Sequence, residues 1–220
     1  MKPLVIFGCG DIGQLAHHYF TSDAGRTVAG FTVDAAFLTS TEFCGRPIVP
    51  FEKVETRFPP SEYDCFVAVS YCQINQFRAR KVAEAKSKGY SLATYCSSRA
   101  TVLCQEPPGE NCFILEDNTI QPFARIGRNV TLWSGNHIGH HAIIEDDCFI
   151  TSHVVVSGGV RVGRKCFIGV NATLRDHITI GESSVIPAGA VILADVAPFS
   201  VFRPDPSELS SVPSHRLRNL

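Results

Sequence analysis

From Ile114 onward the chain sets an aliphatic residue at every sixth position without a break: Ile114, Ile120, Ile126, Leu132, Ile138, Ile144, Ile150, Val156, Val162, Ile168, Leu174, Ile180, Ile186 and Ile192. Four residues after most of them stands a small side chain, among them Ala124, Ala142, Cys148, Cys166, Ala172 and Ser184, and glycine often follows directly, as at Gly127, Gly139, Gly163, Gly169 and Gly181. Helices do not repeat at six. Short strands that turn a corner every six residues do, and three hexads close one triangular coil of a parallel β-helix. Residues eighteen apart then stack at about 4.8 Å. That places Cys148 against Cys166 as core thiols and Asn118 against Asn136 as an internal amide ladder.

Residues 1–96 follow another rule. "LVIFG" is an apolar strand, "GCGDIG" follows with Gly8, Gly10 and Gly13, and a helix carrying His17 and His18 comes next. "VAGFTVD" is a second strand ending in Asp34, "DCFVAVS" a third, "QINQFRARKVAEAKSKG" a helix and "YSLATY" a last strand. Alternating strand and helix implies a parallel α/β sheet, a small Rossmann-like domain. A GxGxxG turn between strand and helix lets backbone approach a phosphate at the helix N-terminus, and Asp34 is placed for a ribose hydroxyl. A full dinucleotide fold needs two such halves, so a mononucleotide handle is favoured over NAD. The expected ligand contacts are Gly8, Gly10, Asp11, Ile12, Asp34, Asn75 and Arg78. Pro107, Pro108 and Gly109 mark the junction with the repeat. The chain is thus divided into 1–96, a β-helix over 97–197, and a Pro- and Ser-rich tail over 198–220 that is expected to pack back on the β-helix or on a neighbouring subunit.

Composition narrows the function classes. A net charge of −1 over 220 residues leaves no basic surplus to neutralise phosphates, which argues against nucleic acid as a partner. No apolar run approaches the roughly 20 residues of a membrane span, and "MKPLVIFGCG" reads as a strand rather than an export signal. Nine cysteines without a CxxC pair read as reduced thiols, so a cytoplasmic location is expected.

A Rossmann-like domain followed by hexads, and above all the segment "IGHHAIIEDDCFITSHVVVSGGVRVGRKCFIGVNAT", resembles the NeuD/PglD-type sugar acyltransferases among the hexapeptide-repeat enzymes. The resemblance implies a left-handed β-helix, acetyl-CoA as donor, and active sites between the subunits of a homotrimer. It implies a general base at His140, the third place of the hexad from Ile138. It also implies a coenzyme track at Gly158, Val170 and Ala188. The sequence departs from that pattern in four places, the first being the loop "GCGDIG", which is closer to a dinucleotide fingerprint than the family's usual loop. His141 stands where the family's PglD branch has a glutamate, Phe149 where a second histidine is usual, and Ser70 where a glycine is usual.

Four of the eight histidines lie in one stretch: His137, His140, His141 and His153. Their spacing does not match the zinc site of the γ-type carbonic anhydrases, another β-helix family, so no metal is expected. His137, His153 and His177 read as outer-face residues, His140 as the base, and His141 stays undecided between the two. A neutral imidazole suits proton removal near neutral pH, and Glu145, Asp146 and Asp147 are candidates to orient it. The expected activity is acetyl transfer to a nucleotide-linked aminosugar. The alternatives are O-acetylation of a sialic-acid-like sugar, a dinucleotide-dependent oxidoreductase, and a non-catalytic trimeric scaffold.

Overall fold

The computed structural model describes residues 1–204 together with Ser211 and Arg216. The first domain contains β1 (Leu4–Phe7), α1 (Asp11–Ser22), β2 (Val28–Val33), β3 (Glu42–Phe43), β4 (Arg46–Pro50), α2 (Val54–Arg57), β5 (Asp64–Val67) and α3 (Gln76–Ser87). Its sheet runs β3-β4-β2-β1-β5, parallel except for β3 against β4. All four residues of β1 are buried, because helices or loops cover both faces of its sheet. β4 was not visible in the sequence: Pro47 and Pro50 give its five residues the look of a loop.

The β-helix begins earlier than the 96/97 boundary. Leu92 still bridges to Cys65 in the first sheet. Tyr95, read from sequence as the end of the first domain's last strand "YSLATY", instead belongs to Tyr95–Cys96, which pairs with Phe113–Ile114. From there the coils stack into a left-handed parallel β-helix with three faces. The first face carries Phe113–Ile114, Thr131–Leu132, Phe149–Ile150, Phe167–Ile168 and Val185–Ile186. The second carries Thr119–Ile120, His137–Ile138, Val155–Val156, Thr173–Leu174 and Val191–Ile192. The third carries Arg125–Ile126, Ile143–Ile144, Arg161–Val162 and Thr179–Ile180. All fourteen aliphatic positions of the hexads point inward and are at most 7% exposed. Cys112, Cys148 and Cys166 share one interior column and donate to the carbonyls of Gly127, Gly163 and Gly181, so these thiols are structural.

The corners explain much of the composition. Every sixth residue from Asn111 to Gly189 has positive φ. Asn, Asp, His and Gly tolerate that backbone best, and they fill most of these corners, including His141, His153 and His177. The amide ladder also runs on a corner. Asn111 Nδ2 donates to Asn129 Oδ1 at 2.8 Å and Asn129 Nδ2 to Asp147 Oδ1 at 2.7 Å. Asn118 and Asn136, the pair expected from the sequence, instead bond backbone carbonyls at Trp133. Asn118 Oδ1 is buried without a partner.

The first domain sits on the first face. Phe113 and Leu115 join the cluster of Leu4, Ile6, Phe20 and Phe66, and the Tyr71 ring lies 5.1 Å from Phe149 and 4.6 Å from Phe167. Val201 bridges to Val185 and continues the coil. Whether residues 205–210, 212–215 and 217–220 of the tail pack back lies outside the described residues.

Candidate active site

A cavity of about 710 Å³ opens at the C-terminal ends of β1, β2 and β5. Five of the seven residues expected to bind a ligand line it: Gly8, Gly10, Asp11, Ile12 and Asp34. Gly8 has φ +117 and would place a Cβ 2.4 Å from the carbonyl oxygen of Ala68; a Cβ on Gly13 would fall 2.1 Å from that of Gly8. These two glycines therefore serve close strand–helix packing. Gly10 faces open space on the cavity side. Asp34 is not a free carboxylate, since Lys81 Nζ donates to it at 2.7 Å and to Glu84 at 2.7 Å.

The other two expected residues are elsewhere. Asn75 is fully buried, and its Nδ2 donates to the carbonyls of Lys165 and Cys166. Arg78 is 2% exposed and donates to Thr131 Oγ1, Asn75 Oδ1 and the carbonyls of Asp147 and Cys148. Burial pulls its guanidinium down to about 10. Both residues join the domains rather than line the cavity. The reason lies just before α3, where Gln73, Ile74 and Asn75 all have positive φ, and Asn75 N–H bonds the Tyr71 carbonyl in one left-handed turn. That turn sends the first face of α3 into the β-helix. The cavity receives Gln73, Phe77 and Arg80 instead, and no sequence pattern marked these three.

His140 and His141 occupy the edge between the second and third faces, the edge away from the first domain. Both are exposed. His140 is the one imidazole of this stretch that lies neither on a strand nor at a left-handed corner. Its ring lies over Gly158, where an added Cβ would meet Cε1 at 2.7 Å and Nε2 at 2.8 Å. The left-handed corner beside it belongs to Gly159, with φ +68, so Gly158 is not needed for its backbone. His140 N–H donates to Gln121 Oε1 at 2.8 Å, and its Nδ1 lies 3.1 Å from Nδ1 of His141. The His141 ring packs 4.8 Å from Phe123. The three acidic candidates for orienting His140 are engaged elsewhere: Glu145 with Arg161, Asp146 with Arg128, and Asp147 with Asn129. Val170 and Ala188 are exposed on a different edge, between the first and second faces. One chain therefore does not bring them to His140. Among the described residues no group of three or more His, Cys, Asp or Glu side chains is placed to hold a metal ion. No described helix is long and apolar enough to cross a membrane.

The repeat matches the bacterial transferase hexapeptide (six repeats) model over residues 123–158 and 159–194. The whole two-domain arrangement has the fold of NeuD/PglD-type sugar acetyltransferases. It superposes with a TM-score of 0.82 on perosamine N-acetyltransferase of Caulobacter crescentus, a structure in complex with CoA and GDP-perosamine. The two are 22% identical, over 91% of this chain and 93% of that one. The acetyltransferase domain of PglB from Neisseria gonorrhoeae gives a TM-score of 0.80 at 22% identity, over 91% and 96% of the two chains. Likeness at this identity establishes the fold. In sequence, the chain is 26% identical to the acyl-[acyl-carrier-protein]–UDP-N-acetylglucosamine O-acyltransferase of Campylobacter concisus, over 41% of this chain and 37% of the relative. The chain thus spans about a third of the length of that curated relative.

Proposed function

We propose that this protein is an acetyl-CoA-dependent N-acetyltransferase of a nucleotide-linked aminosugar, working as a homotrimer. The observation that carries the reading is His140, an exposed imidazole laid over a glycine that has no backbone reason to be there. The molecules bound in the perosamine enzyme's structure, CoA and GDP-perosamine, support this substrate class. In the proposed reaction His140 Nε2 takes a proton from the acceptor amine as its nitrogen attacks the thioester carbonyl carbon. The C–N bond forms, the C–S bond breaks, and the proton passes to the departing CoA thiolate. No thiol of this chain is needed as nucleophile.

The separation of parts supports a site shared between subunits. In one chain the cavity lies beside the first face, His140 lies on the opposite edge, and Val170 and Ala188 lie on a third position. A neighbouring copy would bring its cavity or its coenzyme track to this His140. The test is free-thiol release from acetyl-CoA with a panel of GDP-, UDP- and dTDP-linked aminosugars, alongside light scattering. Turnover of one of them by a species three times the 24.0 kDa chain mass is expected. A fully active monomer, or no turnover of any amine acceptor, would overturn the reading.

A further inference from the structure

We propose that Arg80 is the residue that binds the diphosphate of the nucleotide-linked acceptor in the first-domain cavity, in place of the helix N-terminus that the glycine motif points to. This rests on the acceptor reading given above. Three charged side chains line the cavity, Asp11, Asp34 and Arg80, and only Arg80 is positive. Asp34 is paired at 2.7 Å with Lys81, which it shares with Glu84 and which is not part of the lining. Asp11 opens α1 and already sets a carboxylate at the positive end of that helix. A diphosphate lodged there would meet the Asp11 carboxylate, and the backbone amides would not act alone.

Arg80 has the opposite character. It is exposed, and among the described residues it has no carboxylate partner. Its guanidinium lies 5.4 Å from the centre of the Phe77 ring, which also lines the cavity. Stacking fixes the plane of the fork while leaving its N–H edges free, the form in which arginine recognises phosphate. Helical geometry separates it from Arg78. Two residues apart on a helix means roughly 200° of rotation, so Arg78 enters the β-helix while Arg80 faces the cavity on the other side. The rest of the lining is largely apolar, with Phe7, Val33 and Phe37. That suits a base and leaves the anionic part of the ligand dependent on the one cation.

The experiment is titration calorimetry of the full chain with GDP, UDP and dTDP, and with the matching nucleosides. Wild type is compared with Arg80→Gln and Arg80→Lys, and acetyl-CoA binding serves as a control for folding. The expected result is that wild type binds at least one diphosphate, with an affinity that falls as salt rises. Arg80→Gln should weaken that diphosphate by about tenfold or more and flatten the salt dependence, with Arg80→Lys in between. Nucleoside affinity should not change. If Arg80→Gln binds the diphosphate as wild type does, or loses the nucleoside equally, the assignment of Arg80 is wrong while the cavity remains the acceptor site. If wild type binds none of the diphosphates, the acceptor reading of the cavity fails and Arg80 with it.

Discussion

The Nδ1 atoms of His140 and His141 lie 3.1 Å apart. One of the two must donate and the other accept. For Nε2 of His140 to remove a proton, its own hydrogen must sit on Nδ1 and point at His141. A His141 whose Nδ1 carries no hydrogen would hold the proposed base in that tautomer, a task a carboxylate performs in many catalytic histidines. His140→Ala should lower kcat by roughly 10²–10⁴ with little change in KM for acetyl-CoA. His141→Phe should lower kcat by less than His140→Ala does, and His141→Glu should restore part of it, with KM for acetyl-CoA unchanged in both. An unchanged kcat in His141→Phe would remove it from the mechanism.

Gly158 leaves room for the imidazole. A Cβ there would stand 2.7 Å from His140 Cε1. Gly158→Ala and Gly158→Val should therefore cut turnover while the melting temperature barely changes, since the backbone does not require glycine. Thermal melts beside kinetics check this. A sharp fall in melting temperature with normal turnover in the residual folded enzyme would contradict it.

Arg78 has a buried guanidinium whose Nε has no partner, and its other nitrogens hold two β-helix carbonyls and Thr131. Replacing it with Met removes the buried charge but leaves the Asp147 carbonyl without its donor, while the Cys148 carbonyl keeps its bond from Thr131 N–H, at a cost of about 1–3 kcal/mol. Arg78→Lys should cost more, because a cation stays buried without the planar fork. Urea denaturation read by the single Trp133 measures both. The reverse order would show that the charge itself, not the fork, holds the domains together.

Acid should weaken the junction at a defined place. Asp23 accepts from Ser98 Oγ, from Ser98 N–H at 2.9 Å and from the Tyr95 hydroxyl at 2.7 Å, and these bonds hold its carboxyl down at about 2, below the ordinary 3.8. A carboxyl with a depressed folded pKa binds fewer protons folded than unfolded. Its stabilisation is present in full above about pH 4 and is lost as the pH falls towards 2. Asp23→Asn should be less stable at pH 7 and show a shallower loss between pH 4 and 2 by equilibrium denaturation. An identical acid limb in the variant would assign that loss to other groups.

The β-helix was legible because its constraint is periodic: one missed aliphatic residue would have left a gap in the core, and none is missing between Ile114 and Ile192. The first domain was less so. The prolines of β4 hid a strand, and Tyr95–Cys96 reads the same whether it pairs with β5 or with Phe113–Ile114. At the first-domain cavity, the glycine loop and Asp34 follow local rules and line the opening. Asn75, Arg78 and Arg80 depend on the direction α3 takes after three left-handed residues. Ile74 at φ 51 is a conformation that a β-branched side chain resists, so propensity pointed away from the turn that decides which arginine meets the cavity. The histidine cluster has a mixed origin: His141 and His153 answer a backbone demand at corners, while His140 does not.

The coil also gives chain length a unit. Losing or gaining one residue between Ile114 and Ile192 would rotate every later residue out of its column, exposing aliphatic side chains and setting side chains at corners that need a left-handed backbone. Losing eighteen would leave every column intact and only shorten the prism. Changes of length in this half of the molecule are thus graded by arithmetic rather than by size. A whole coil removed beyond Ala172 spares the register around His140, whereas a single residue deleted at Glu145 destroys everything that follows it.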